Sequence, residues 1–300
     1  MALRIVEFFG YSPEDSSQEA RNARSSLHCP FLDIPCTKIL RDKLVSGTCT
    51  VRQATSGPVI CCPNRLYAQD YKVLADVAAK AFGGGTRLAS PEQIQRREQE
   101  GKNVAVFGKR WGKELKLPRV RGRGGYFVDW ILALVEPGNA LKEFVAVEVQ
   151  SMDTTGNYRA ERQAYLDGES YGRYSPAGLN WENVSKRILP QIIYKGHVLR
   201  REERCKKGMF FVCPLPVYER ICVRLGGNML EYPSLQPGSL TFLWYDIGPE
   251  APRGEPRSLR SEGSFTTTVD QVALAFTSPT NLPPANVYEA AIRKELGQRP

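Results

Sequence analysis

The residues whose types and spacing could do chemistry are Asp129, Glu148 and Gln150. From Phe144 to Gln150 the chain alternates, with Phe144, Ala146, Glu148 and Gln150 on one face and Val145, Val147 and Val149 on the other. Period-two alternation with β-branched residues predicts a strand. The valines suit a core, which leaves Glu148 and Gln150 side by side on the opposite face. The run 126–135 also reads as a strand and carries one acid, Asp129, among apolar neighbours. Between the two lies Glu136-Pro-Gly-Asn-Ala140, a turn-rich link. The simplest fold pairs these strands and brings Asp129 close to Glu148.

An aspartate followed by Glu-x-polar on the next strand is the plan of the PD-(D/E)xK nuclease active site. Two carboxylates can hold a hard Mg²⁺ ion and leave ligand positions for water and phosphate. The cation lowers the pKa of its water and offsets charge developing on the phosphate. A polar group two residues on then lies beside that water. A solvated strand edge that happens to carry an acid would give the same pattern.

The chain has 300 residues, enough for one large domain or two modest ones. Apolar residues make up 42%, so a sizeable core is available. The net charge of +9 favours a polyanionic partner such as DNA, RNA or a membrane surface, although a basic surface can also stand alone. No apolar run is long enough to span a membrane. The first ten residues lack the apolar core and cleavage site of a signal peptide, so a cytoplasmic protein is expected. Its eight cysteines are then reduced thiols or metal ligands rather than disulfides. Only two histidines are present, His28 and His197, which argues against His-rich zinc hydrolases and most Ser-His or Cys-His triads.

Residues 1–64 are read as a loop-rich N-terminal region, and 65–300 as the unit that carries the acids. Cys29, Cys36, Cys49, Cys61 and Cys62 fall in the first part, most beside turn residues. Regular structure is expected to be scarce there, so a tetrathiolate metal site could fix the loops. Buried free thiols are the other reading, since no CxxC spacing occurs. Cys205, Cys213 and Cys222 read as small buried hydrophobes.

Downstream, helices are predicted at 65–82, 90–100, 158–166 and 180–195, the last kinked by Pro190 and ended by Gly196. Further helices are predicted at 217–225, 269–276 and 286–296. Strands are predicted at 103–107, 209–213 and 240–247, and 248–263 reads as an exposed loop. The stretch 108–125 is basic and glycine-rich and leads into the Asp129 strand, a placement that suits phosphate contacts.

Seven short strings recur in one order: Glu7-Phe-Phe-Gly10, Cys29-Pro-Phe-Leu32, Cys62-Pro-Asn-Arg65, Gly112-Lys-Glu-Leu115, Val128-Asp-Trp130, Glu148-Val-Gln-Ser-Met-Asp153 and Asn183-Val-Ser-Lys-Arg187. In that order they resemble the NotI family of Type II restriction endonucleases. The resemblance implies a bacterial homodimer that cuts double-stranded DNA in Mg²⁺ at a GC-rich palindrome with a GGCC core, such as CGGCCG, leaving 5′-phosphates. It also implies a PD-(D/E)xK fold, an α/β (α+β) core with a mixed central sheet flanked by helices, plus a four-cysteine site that holds iron. By position, Asp129, Glu148 and Gln150 match the catalytic triad and Glu114 an additional acid. Cys29, Cys36, Cys49 and Cys62 match the metal ligands, while Cys61 has no counterpart. With Asp129 and Glu148 on Mg²⁺, the Val149 carbonyl is expected as a further ligand. Four thiols alone do not separate iron from zinc. Gln150 stands where the wider superfamily carries lysine, and a neutral amide can orient water but cannot lower its pKa. A DNA-binding regulator with a Cys₄ metal and no nuclease activity and a metal-sulfur protein whose iron does redox work are the rival classes, but both leave the acids unexplained.

Overall fold

The computed structural model describes residues 2–96, 101–115, 127–278, 280, 282 and 284–298. Residues 116–125, the larger part of the stretch expected to contact phosphate, lie outside these.

Among the described residues, eight α-helices accompany a seven-stranded mixed sheet. Its strand order is Leu259–Thr268, Ser239–Ile247, Met209–Pro214, Ala140–Val149, Trp130–Glu136, Lys102–Gly108 and Thr86–Ala89. The expected mixed sheet with flanking helices is thus present. The Ala140–Val149 strand, here the site strand, is the middle one of the seven. It runs parallel to Met209–Pro214 and antiparallel to Trp130–Glu136.

A central strand is covered on both faces, and this one is buried from Val145 to Val149. Val145, Val147 and Val149 join an apolar cluster with Val104, Leu132, Phe210 and Val77 of the Ala68–Phe82 helix. Ala146 joins a second cluster with Phe211, Ile188 and Ile192. The face that carries Glu148 is therefore roofed by a helix, and the solvated-edge alternative does not hold.

The Asp129 strand starts later than predicted. Extended pairing begins at Trp130, and Asp129 occupies the bend just before it. The predicted helix at 180–195 is a π-helical turn, Val184–Ile188, followed by an α-helix, Leu189–Leu199. Pro190 lies in the first turn of that α-helix, directly after the π-helical turn. Gly196 does not end the helix. A Cβ there would lie 2.3 Å from Val269 Cγ2, so the glycine lets the helix seat against the start of the Val269–Thr277 helix.

Residues 1–64 are more regular than expected. Leu3–Phe8, Thr48–Gln53 and Pro58–Ile60 form an antiparallel sheet, and Gln18–Ser25 is a helix capped by Ser17. Leu3, Ile5, Phe8 and Val51 share an apolar cluster with Ala146, Met152 and Tyr165, so the core runs across residue 64. The segment 248–263 also differs from its prediction. Leu259–Thr268 is the edge strand, antiparallel to Ser239–Ile247. Its polar run Arg260-Ser-Glu-Gly263 hides the strand, and Gly263 is where the Trp244 ring packs on the backbone.

Candidate active site

Pairing of the two central strands builds the site. Trp130 is opposite Val147, which puts Asp129 beside Glu148. The Asp129 carboxylate accepts a hydrogen bond from the Val149 N–H at 2.8 Å, so the site strand itself holds it. Glu148 is 8% exposed, and its Oε1 accepts from Lys195 Nζ at 2.5 Å. Its other oxygen, Oε2, is buried with no hydrogen-bond partner. The Gln150 N–H donates to the Val212 carbonyl at 2.9 Å, which extends the parallel pairing one residue past the strand. The Gln150 side-chain amide donates to the Ser151 carbonyl at 2.7 Å.

The acids sit where ionisation is disfavoured. Burial, then the Asp129 charge, raises Glu148 to about 7, against the pull of the Lys195 ammonium and the Asp129 amide. Asp129 is raised too, chiefly by desolvation, while the Val149 N–H and Lys195 oppose the shift. Glu114 is exposed, yet near enough to add to the rise of Asp129. A divalent cation between the two carboxylates would relieve the repulsion and satisfy Oε2. The donor set of two carboxylates and a neighbouring carbonyl is hard, as Mg²⁺ requires.

Asp129, Val149 and Gln150 open onto a cleft of about 860 Å³. Six basic side chains also line it: Lys38, Arg41, Lys109, Arg110, Arg159 and Arg187. Two of the recognised strings meet on its rim. Asn183 Nδ2 donates to Asp153 Oδ2 at 2.8 Å, and the Arg187 guanidinium lies 3.4 Å from the same carboxylate.

The cysteine region forms part of the cleft wall. Cys29, Cys36, Cys49, Cys61 and Cys62 are all free thiols. Burial, then the nearby Cys62, Glu7, Cys29 and Cys36, pushes Cys49 far up. Cys62 is pushed to about 12, by burial first and by Cys61 and Cys36, with Lys38 and the Asn64 N–H opposing. The four cysteines matched to metal ligands are thus close enough to affect one another. Among the described residues, no group of three or more His, Cys, Asp or Glu side chains stands at metal-holding distances. Four neighbouring thiols are the donor chemistry of a soft cation, which would hold them as thiolates. The Cys61 sulfur, also close to Cys62, takes a hydrogen bond from Lys38 Nζ at 3.1 Å. Asn64 and Thr37 hold the Arg110 guanidinium at 3.2 and 3.1 Å, linking these loops to the cleft. Beneath them Glu7 and Arg65 form a two-pronged ion pair, both fully buried, and Arg65 also reaches the carbonyls of Arg257 and Ser258.

His28 and His197 take ordinary surface roles beside Asp33 and Asp270. Cys205 and Cys213 are buried, and Cys222 is partly buried. Sequence reasoning missed one residue at the acids, Lys195, counted there only among the basic residues near the helix. Its signal was present. Ile188, Ile192, Lys195 and Leu199 follow helical spacing, so the lysine interrupts an apolar stripe.

Two adjacent acids, one of them lining a cleft with six basic side chains, can hold a divalent cation beside a polyanion. The sequence matches the family model described as restriction endonuclease NotI over residues 15–255. The chain belongs to that family, and it is a restriction endonuclease whose substrate is DNA. No curated protein matches it. No helix among the described residues is long and apolar enough to cross a membrane.

Proposed function

We propose that this endonuclease is a Mg²⁺-dependent PD-(D/E)xK enzyme, acting as a homodimer in the bacterial cytoplasm. It cuts both strands of a GC-rich palindrome with a GGCC core, such as CGGCCG, and leaves 5′-phosphates. The observation that carries this reading is the unpartnered, buried Glu148 Oε2 beside Asp129, which itself lines a basic cleft. Asp129, Glu148 and the Val149 carbonyl would hold Mg²⁺. When bound there, the ion lowers the pKa of water and offsets phosphate charge. The basic cleft side chains hold the DNA backbone in register with the acids. The Gln150 amide orients the attacking water, and Glu114 adds negative charge at the mouth of the site. A palindrome needs two-fold symmetry, so one protomer serves each strand.

Cys29, Cys36, Cys49 and Cys62 would hold iron or zinc in a structural role. Four thiolates leave no position open for chemistry. The ion would fix the loops that carry Lys38, Arg41 and, through Asn64, Arg110.

The test is to incubate wild type and Asp129→Ala with long duplex DNA in Mg²⁺ and to sequence the ends. Discrete fragments ending in one GC-rich palindrome, absent with the variant, are expected. Intact DNA from a wild-type protein that still binds would reject this reading in favour of a DNA-binding regulator.

A further inference from the structure

A lysine buried in an apolar stripe needs a reason. Lys195 is 7% exposed, on a helix face otherwise made of Ile188, Ile192 and Leu199. Burying a charge pair gives little net stability, because desolvation of both ions offsets their attraction. An apolar residue at this position would continue the core. Its partner is no ordinary acid but the carboxylate at the centre of the candidate site.

The geometry divides that carboxylate in two. Lys195 takes Oε1 at 2.5 Å and leaves Oε2 buried and unpartnered. The ammonium also lies close enough to Asp129 to favour its charged form. Neither Lys195 nor Glu148 lines the cleft, so the lysine acts on the site from the helix that covers the Glu148 face. Its height is set by backbone packing, since Gly196 seats the helix directly against Val269. On the cleft side, Gln150 supplies no charge.

We propose that Lys195 is a positioning residue for cleavage: from the helix it supplies the positive charge that Gln150 lacks and fixes Glu148 with one oxygen free for the metal. This rests on the Mg²⁺-dependent nuclease reading above. The charge enters through the neighbouring helix rather than from the strand. Two consequences follow. Removing the ammonium costs rate rather than DNA affinity. Returning a lysine to position 150 restores part of what was lost, although the same change in wild type gains nothing.

The experiment compares wild type, Lys195→Met, Lys195→Arg and the double variant Lys195→Met/Gln150→Lys. Single-turnover cleavage of one duplex is followed across a Mg²⁺ titration. DNA affinity in Ca²⁺ and thermal midpoints are measured alongside. For Lys195→Met the rate should fall about 10- to 100-fold, the scale seen when partners of metal ligands are removed. Its DNA affinity should be unchanged and its midpoint should lie within about 4 °C of wild type. Lys195→Arg should recover most of the rate and the double variant part of it. If Lys195→Met does not fold, the arginine variant decides: retained rate supports the proposal, and a folded but inactive protein overturns it. Wild-type rate in Lys195→Met, or a loss that neither companion variant repairs, also overturns it. If wild type itself leaves DNA intact, the nuclease reading falls and this proposal with it. If wild type cuts and Lys195→Met cuts equally well, only this proposal falls.

Discussion

The acids and the thiols solve the same problem, gathering like groups into one place, in opposite ways. Asp129 and Glu148 are held by long strand pairing at the centre of the sheet, in register from Trp130 to Leu134, where a slip of one residue would turn Glu148 to the other face. Lys195 and the Val149 N–H offset their charge within the protein itself. The cysteines sit on or beside short strands, His28–Cys29, Ile34–Pro35, Thr48–Gln53 and Pro58–Ile60. Lys38 donates to the Cys61 sulfur and its charge also acts on Cys62. A site fixed by a sheet core keeps its geometry before any ion arrives. A site on loop ends depends more on the ion it gathers and on what clamps the loops.

The clamp is Glu7–Arg65, and breaking it should have the largest effect on stability. Arg65→Met leaves a buried carboxylate unpaired and should cost about 3–5 kcal/mol in denaturant unfolding. Adding Glu7→Gln should recover part of that, because the orphaned charge is gone. Recovery of none would show that the contacts of Arg65 with the Arg257 and Ser258 carbonyls dominate instead.

Removing one thiol sharpens the contrast. On the proposed four-thiol site, Cys49→Ser should carry less iron or zinc than wild type by elemental analysis and have a lower thermal midpoint, while Mg²⁺ titration of residual cleavage keeps its half-saturation point. A changed Mg²⁺ response would show that the two centres are not independent. The acids should show their own pH signature. Because Glu148 is raised to about 7, protons compete with the cation below that pH. Mg²⁺ affinity by calorimetry should therefore fall about tenfold for each unit below 7 and level off above it. A flat profile from pH 6 to 8 would contradict this. The smallest effect belongs to His28→Ala at the surface, within about 0.5 kcal/mol of wild type.

Much of the site was legible because it rests on period-two alternation. Val145, Val147 and Val149 placed Glu148 and Gln150 on one face, and a turn-rich link implied that the Asp129 strand lay beside them. That the Glu148 face is buried was not legible, since an acid on a strand reads as solvent-facing until the covering helix is known. Lys195 was hidden for the same reason. A lysine on a helix is read as solvated, and its partner lies 47 residues away in sequence. Gly196 read as a helix stop because its packing partner, Val269, is distant in the chain. The edge strand Leu259–Thr268 was lost in polar composition, which suits an edge strand open to water. The short strands around the cysteines carry too few residues for any period to register.

The central claim is that Asp129 and Glu148 form one cation site that licenses cleavage. The most direct measurement is single-turnover cutting of one defined duplex by wild type and Glu148→Gln as Mg²⁺ is raised from zero. Wild type should be silent without the ion and rise to a plateau. The variant should stay slower by about 10³-fold at every concentration, the scale of several kcal/mol of lost charge stabilisation. Cutting without a divalent cation, or equal plateaus for the two proteins, would contradict it.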